Sequence, residues 1–246
     1  MSETSAREDG DDLEIEIPAD PLAGHPASAY FWGHVAGSGD VSDSGIEVVT
    51  NDETSARVLA AVAGGDLEHE TTSREYAHDA SITRTEDEYT LSIGGDGSEG
   101  DEDTDDGDTG LLGRSGALGL PVDGRGNYRF GAFSSHDREL LRGLLEGCGT
   151  ICFKSSSGTV GISFVHDDAD LLELIRALIE DCPVDATVGE LSATSSGGYW
   201  FGIDDDDAPA FGTWLYEDCE ETGLYAPSRR RKLERSLEQA KAYDEP

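Results

Sequence analysis

Lysine is nearly missing from this chain. Of 246 residues only Lys154, Lys232 and Lys241 are lysine, and 17 basic residues stand against 53 acids, for a formal net charge of −36. Cysteine is sparse and unpaired in pattern: Cys148, Cys152, Cys182 and Cys219 form no CxxC motif, so a zinc site is disfavoured and mostly buried thiols are expected. No apolar run approaches the ~20 residues of a membrane span. The start, MSETSAREDGDD, has neither the basic residues nor the apolar stretch of a secretory signal. The expected location is the cytoplasm, with no membrane partner, no metal and no cofactor.

Acidity of this degree usually signals disorder or a cation-binding tail. Here the acids are spread through segments with helical and strand periodicity, and apolar residues make up 36% of the chain, enough for a modest core. Acid-rich, lysine-poor composition resembles that of extreme halophiles. In molar salt the Debye length falls to roughly 3 Å, so self-repulsion is screened and the carboxylates serve solubility. Acidity alone then says little against nucleic acid as a partner.

Two low-complexity stretches divide the sequence. Residues 1–25 read as a disordered acidic leader, and GGDGSEGDEDTDDGDTG near 95–110 as an acidic linker with almost nothing to bury. Between and after them lie 26–94 and 111–246. In the latter, a helix near 135–147 leads into the hairpin TICFKSSSGTVGISFV. Ile151, Phe153, Val160, Ile162 and Phe164 alternate onto one face of it; Lys154, Ser156, Thr159 and Ser163 take the other. A helix capped by Asp167 or Asp168 follows, with apolar Leu171, Leu174, Ile175 and Leu178. Strands near 184–192 and 198–203, a short helix at DAPAFGTWLYEDC and a final helix from Ser228 complete this half.

Residues 26–94 repeat the order. FWGHVAGSGDV places Gly33, Gly37 and Gly39 as LLRGLLEGCGTI places Gly143, Gly147 and Gly149, with Val41 and Ile151 after them. NDETSARVLAAVAG is a capped helix, and EYTLSIGGD echoes GYWFGIDDD at an offset of 110. A duplicated unit accounts for the matching order. Glycines inside an apolar helix point to close approach of a second backbone.

LLRGLLEGCGTI resembles the signature helix of the LAGLIDADG homing endonucleases, and GHVAGSGDV resembles a second copy. The tail FGTWLYEDCEETGLYAPSRRRKLER is similar to the end of many such domains. The resemblance spans roughly residues 27–235. It implies an α+β fold of tandem αββαββ repeats, a pseudo-twofold saddle on DNA with two central helices packed at Gly33, Gly37, Gly143 and Gly147, within a monomer. In active members an acid precedes the last glycine of each signature helix and holds divalent metal. Here those positions are Ser38 and Cys148, neither a ligand suited to Mg²⁺. Asp40 and Glu146 are the nearest acids, displaced along the chain. A lost nuclease centre is therefore expected.

Three functions compete. The first is a catalytically inactive, regulatory DNA-binding protein, touching DNA through Arg129, Lys154, Ser156, Ser163 and the run Arg229, Arg230, Arg231, Lys232. The bacterial WhiA family pairs a degenerate LAGLIDADG domain with a helix-turn-helix; no helix-turn-helix pattern is legible here. The second is a module on the same fold that binds a protein or small ligand, with Trp200, Phe201, Trp214 and Tyr216 as lining or core. The third is a divergent metal-dependent endonuclease. A basic stripe across the saddle would favour DNA; a uniformly acidic saddle would favour another partner.

Overall fold

Two copies of one αββαββ unit meet through their first helices. In the computed structural model of the chain, residues 15–20, 22–76, 79–94, 115–121 and 126–244 are described. The first unit comprises α1 (Pro26–Ser38), β1 (Gly39–Val41), β2 (Ile46–Thr50), α2 (Glu53–Ala63), β3 (Asp66–Tyr76) and β4 (Asp79–Ile93). The second comprises α3 (Asp137–Cys148), β5 (Gly149–Lys154), β6 (Thr159–His166), α4 (Ala169–Glu180), β7 (Ser192–Ala193) and β8 (Tyr199–Gly202). Then come α5 (Ala208–Leu215), α6 (Cys219–Thr222) and α7 (Pro227–Asp244). Each unit builds a four-stranded antiparallel sheet of the same topology, β1-β2-β4-β3 and β5-β6-β8-β7.

The centre is a helix pair. A Cβ on Gly33 would run into the Leu140 carbonyl, and one on Gly143 into the Tyr30 carbonyl. At the next turn, Cβ atoms on Gly37 and Gly147 would stand 3.1 Å from Cys148 N and 3.0 Å from His34 O. Only hydrogen at these four positions lets the backbones touch. Helix α1 is buried from Ala27 to Gly37 on every side, which explains an apolar sequence without a polar stripe.

Each second helix covers the inner face of its sheet, and each is capped alike. Asp52 accepts from Ser55 N at 3.1 Å, and Asp168 from Asp170 N at 2.9 Å. The second carboxylate oxygen of each cap holds a distant segment: Asp52 takes Ser228 N at 2.7 Å, and Asp168 takes Gly126 N and the Tyr128 hydroxyl at 2.8 and 2.9 Å.

Several elements differ from the sequence reading. The expected strand at 184–192 reduces to the two residues of β7 and one isolated bridge, Val188 to Ile203; Pro183 stands just before it and Gly189 interrupts it. The first unit carries the second hairpin that the repeat implies, β3–β4, of which the sequence reading placed only the end of the later strand, at EYTLSI; residues 79–88 pair with β3 alone beyond the four-stranded region. Only Cys219 among the thiols is buried, while Cys148, Cys152 and Cys182 are half-buried, and all four are free. The acidic stretches 1–14 and 95–114 lie outside the described residues, whereas Ile15 and Leu22 pack against the core. Among the described residues no helix is long and apolar enough to cross a membrane.

Candidate functional site

The tips of α1 and α3 carry Ser38 and Cys148, where the resemblance implies metal-binding carboxylates. Both side chains turn back onto their own helices. The Ser38 hydroxyl donates to the His34 carbonyl at 3.1 Å and lies 3.0 Å from His34 Nδ1; the Cys148 thiol donates to the Leu144 carbonyl at 3.3 Å. Burial pushes the Cys148 thiol up to about 12, so it is protonated at neutral pH and no ligand for a hard cation. Among the described residues no cluster of three His, Cys, Asp or Glu is placed to hold a metal. The residues present do not fit Mg²⁺.

Asp40 is exposed on β1, and Glu146 is buried. The Glu146 carboxylate accepts from the Tyr30 hydroxyl at 2.5 Å and from Ala226 N at 2.9 and 3.0 Å, which ties α1, α3 and the entry to α7 together. Tyr30 continues to Ser55 on α2 at 3.2 Å, and Ser55 to His34 Nε2 at 3.4 Å. Desolvation raises the Glu146 carboxyl to about 7 against the opposing effects of Ala226 N–H, Tyr30 and Arg142. His34, desolvated as well, falls to about 4 and is neutral at physiological pH. Arg142, also buried, spends its guanidinium on the Leu215 and Leu224 carbonyls at 2.8 and 2.9 Å. This polar network lies within the core.

The outward sheet faces are the remaining candidate surface, and they are unlike. On the first, cross-strand register aligns Asp40, Glu47, Ser92 and Asp66 in one row, Val49, Thr90 and Glu68 in the next, then Glu88 opposite Glu70. Six carboxylates point outward there, with no Lys or Arg on that face among the strand residues whose side chains are described. Like charges stand directly opposite at Asp40–Glu47 and Glu70–Glu88, an arrangement that costs stability in dilute buffer. The second face pairs Lys154 with Thr159, Cys152 with Gly161, Thr150 with Ser163, and Val165 with Trp200. It is polar and uncharged apart from Lys154. Val165 and Trp200, 46% and 44% exposed, form an apolar step at its end.

The sequence-derived contact residues scatter. Lys154 and Ser163 share the second outward face, with Ser156 in the turn beyond Lys154. Lys154 Nζ is already bonded to Asp205 at 2.5 Å. Arg129 is exposed on the segment leading into the 3-10 turn Phe130–Phe133. The basic run starts α7, which packs along the inner side of β5, with Leu233 against Gly212 and Tyr243 against Phe153. Arg229 donates to the Glu146 carbonyl at 3.4 Å, and Arg230 is held by Glu220 and Glu234. Arg231 and Lys232 are exposed. Of the aromatic residues, Phe201 and Tyr216 are core, Trp214 is half-buried, and Trp200 lies on the open face.

Sequence reasoning missed the acidic face, Asp205 and the Glu146 network. The alternation in DLEHE, with Asp66, Glu68 and Glu70 on one side of a strand, was the available signal for the first. Nothing local marks Asp205 or Glu146, whose partners are remote in sequence.

Over residues 7–243 the chain matches the family profile LAGLIDADG_4, described as "Putative archaeal homing endonuclease". No curated protein matches it in sequence. Among solved structures, full-length DUF199/WhiA from Thermatoga maritima is similar at 12% identity and a TM-score of 0.48, over 94% of this chain; this chain spans 64% of that one. The N-terminal LAGLIDADG domain of DUF199/WhiA gives 14% identity and a TM-score of 0.44, over 81% of this chain and 82% of that one. I-DmoI in complex with DNA and Ca gives 14% and 0.46, over 88% and 100%.

Proposed function

From the premise that this chain belongs to the LAGLIDADG family of archaeal homing endonuclease type, we infer that it is a catalytically silent member that holds DNA without cutting it, in a regulatory role. The observation that carries this reading is the state of the helix tips. Ser38 and Cys148 are turned back onto their helices, and Glu146 is spent on Tyr30 and Ala226. Phosphodiester hydrolysis by this fold needs carboxylates facing the cleft to hold its metals, and none of these three residues supplies one.

DNA contact falls to the second sheet. Thr150, Ser163 and Lys154 offer hydrogen-bond donors on a surface without strand carboxylates, and a sheet can enter the major groove. Ser156, Arg129 and the exposed Arg231 and Lys232 are peripheral phosphate contacts in this reading; Arg229 and Arg230 serve the fold. In a salt-rich, halophile-type cytoplasm, counterion release adds little to affinity, so hydrogen bonding and shape carry more of it.

A second reading has its own observation. The six outward carboxylates of the first sheet repel phosphate and suit a basic protein partner. The two separate in one experiment. Purified protein is titrated with genomic fragments in a gel-shift assay from dilute to molar KCl, then incubated with plasmid plus Mg²⁺ or Mn²⁺. Retarded but intact DNA is expected. Cleavage would reinstate the nuclease, and absence of retardation throughout would shift the function to a protein partner.

A further inference from the structure

The mouth of the β5–β6 hairpin contains an anion clamp that is filled from within the chain. Lys154 Nζ donates to Asp205 Oδ1 at 2.5 Å, and the Thr159 hydroxyl donates to Asp205 Oδ2 at 2.8 Å. Ser157 Oγ lies 2.7 Å from Thr159 Oγ1 and orients it. Lys154 and Thr159 are direct cross-strand partners on the outward face. Gly161 leaves the path free: a Cβ there would sit 2.5 Å from Lys154 Cε, so the lysine stem lies across the glycine to reach Asp205. Asp205 itself arrives from outside the sheet, in the turn between β8 and α5.

An ammonium and a hydroxyl converging on two oxygens of one anionic group is also how this face would hold a phosphodiester. We propose that Lys154 and Thr159 form a DNA-phosphate subsite, and that Asp205 occupies it as an internal competitor which DNA must displace. The proposal rests on the DNA-holding reading above and adds its regulation: the one cation among the described strand residues of this sheet face is withheld until a phosphate outcompetes a tethered carboxylate. The pair is partly exposed, with side chains 44% and 30% accessible, so the contact is exchangeable rather than locked. Burial disfavours the Asp205 charge, but the bonds from Lys154 and Thr159 outweigh it and keep the carboxyl below its ordinary range. The carboxylate therefore stays ionised and competitive at neutral pH.

The test uses the full chain with Asp205→Asn, Lys154→Met and the double variant, with duplex DNA at several KCl concentrations. Asp205→Asn should tighten binding by about fivefold, the scale of one exposed charge contact. Lys154→Met should abolish that gain in the double variant. The scarcity of lysine gives a second readout, since reductive ¹³C-dimethylation labels only three lysine side chains. The Lys154 signal should move when duplex DNA is added, and at lower DNA concentration in Asp205→Asn. Inorganic phosphate at matched phosphate concentration should leave it in place; an equal shift would make this a free-phosphate site and overturn the DNA assignment. If wild type binds DNA but Asp205→Asn binds no tighter, or the double variant keeps the gain, the competitor role is wrong while the DNA reading stands. If neither wild type nor Asp205→Asn binds DNA, the DNA reading fails and the proposal with it.

Discussion

The two halves of this molecule agree inside and disagree outside. Inside, Gly33 meets the α3 backbone as Gly143 meets that of α1, and each capping aspartate uses one oxygen on its helix and the other on a distant segment. Outside, one sheet presents carboxylates and the other hydroxyls, one clamped lysine and an exposed tryptophan. Packing tolerates little divergence because volume and backbone contact are specified at each position. A solvated sheet face tolerates almost any polar residue, so the halves were free to separate there. The lesson is that symmetry of fold does not carry symmetry of surface.

The largest effect should come from breaking the inner agreement. Gly143→Leu or Gly33→Leu forces a side chain into a facing carbonyl, and overpacking costs ~1–3 kcal/mol or more. Both variants should melt well below wild type by a similar amount, while Gly131→Ala, with nothing within 4 Å of its Cβ, should melt near it. Unchanged melting in either leucine variant would remove the helix contact from the account.

Glu146 gives the next largest effect, and its sign depends on pH. Its folded value, about 7, lies above the ordinary carboxyl value of 4.5, so the folded state holds the proton more tightly than the unfolded chain. That stability is fully present below about 4.5 and is lost as pH rises through about 7, amounting to about 3 kcal/mol. His34, lowered to about 4, acts oppositely: its stability is present above 6.5 and lost as pH falls toward 4. Denaturant midpoints of wild type and Glu146→Gln between pH 5 and 8 should therefore diverge, with wild type losing ground as pH rises. Parallel profiles would mean that Glu146 does not titrate in this range.

The caps test whether the halves are energetically equivalent. Asp52→Ala and Asp168→Ala should each cost about 1 kcal/mol through the cap, with more from the second oxygen. Chemical denaturation of the pair reads the comparison directly: similar losses support equivalent roles, and a negligible loss in one would break the parallel.

The smallest stability change should follow neutralisation of the outer acids. Glu47→Gln, Glu68→Gln and Glu70→Gln together should shift stability within about 0.5 kcal/mol at high KCl and raise it at low KCl, where repulsion between facing carboxylates is unscreened. The same triple variant should bind DNA more tightly if the first face repels phosphate. Unaltered affinity would show that DNA never approaches this sheet.

Much of the fold was legible because its signals are local. The glycine spacing in α1 and α3, the capped start of NDETSARVLAAVAG and the alternation of Ile151 to Phe164 all lie within short windows. Strand β3 was not placed because its stretch mixes Thr, Ser, Glu and Arg with little apolar alternation. The candidate site was less legible still. Ser38 and Cys148 could be marked as departures from the signature, but the engagement of Lys154 by Asp205 and of Arg230 by Glu220 could not.

By itself the sequence determined the duplication, the places where two backbones must touch, and the replacement of the expected metal acids, because each depends on residue identity at a local spacing. Only the tertiary structure decided which charges are free. It buried Glu146 beneath Tyr30 and Ala226, aligned six carboxylates on one sheet, and brought Asp205 across to Lys154. Each of these joins groups from separate strands, helices or turns, and electrostatic energy depends on distance in space, not along the chain.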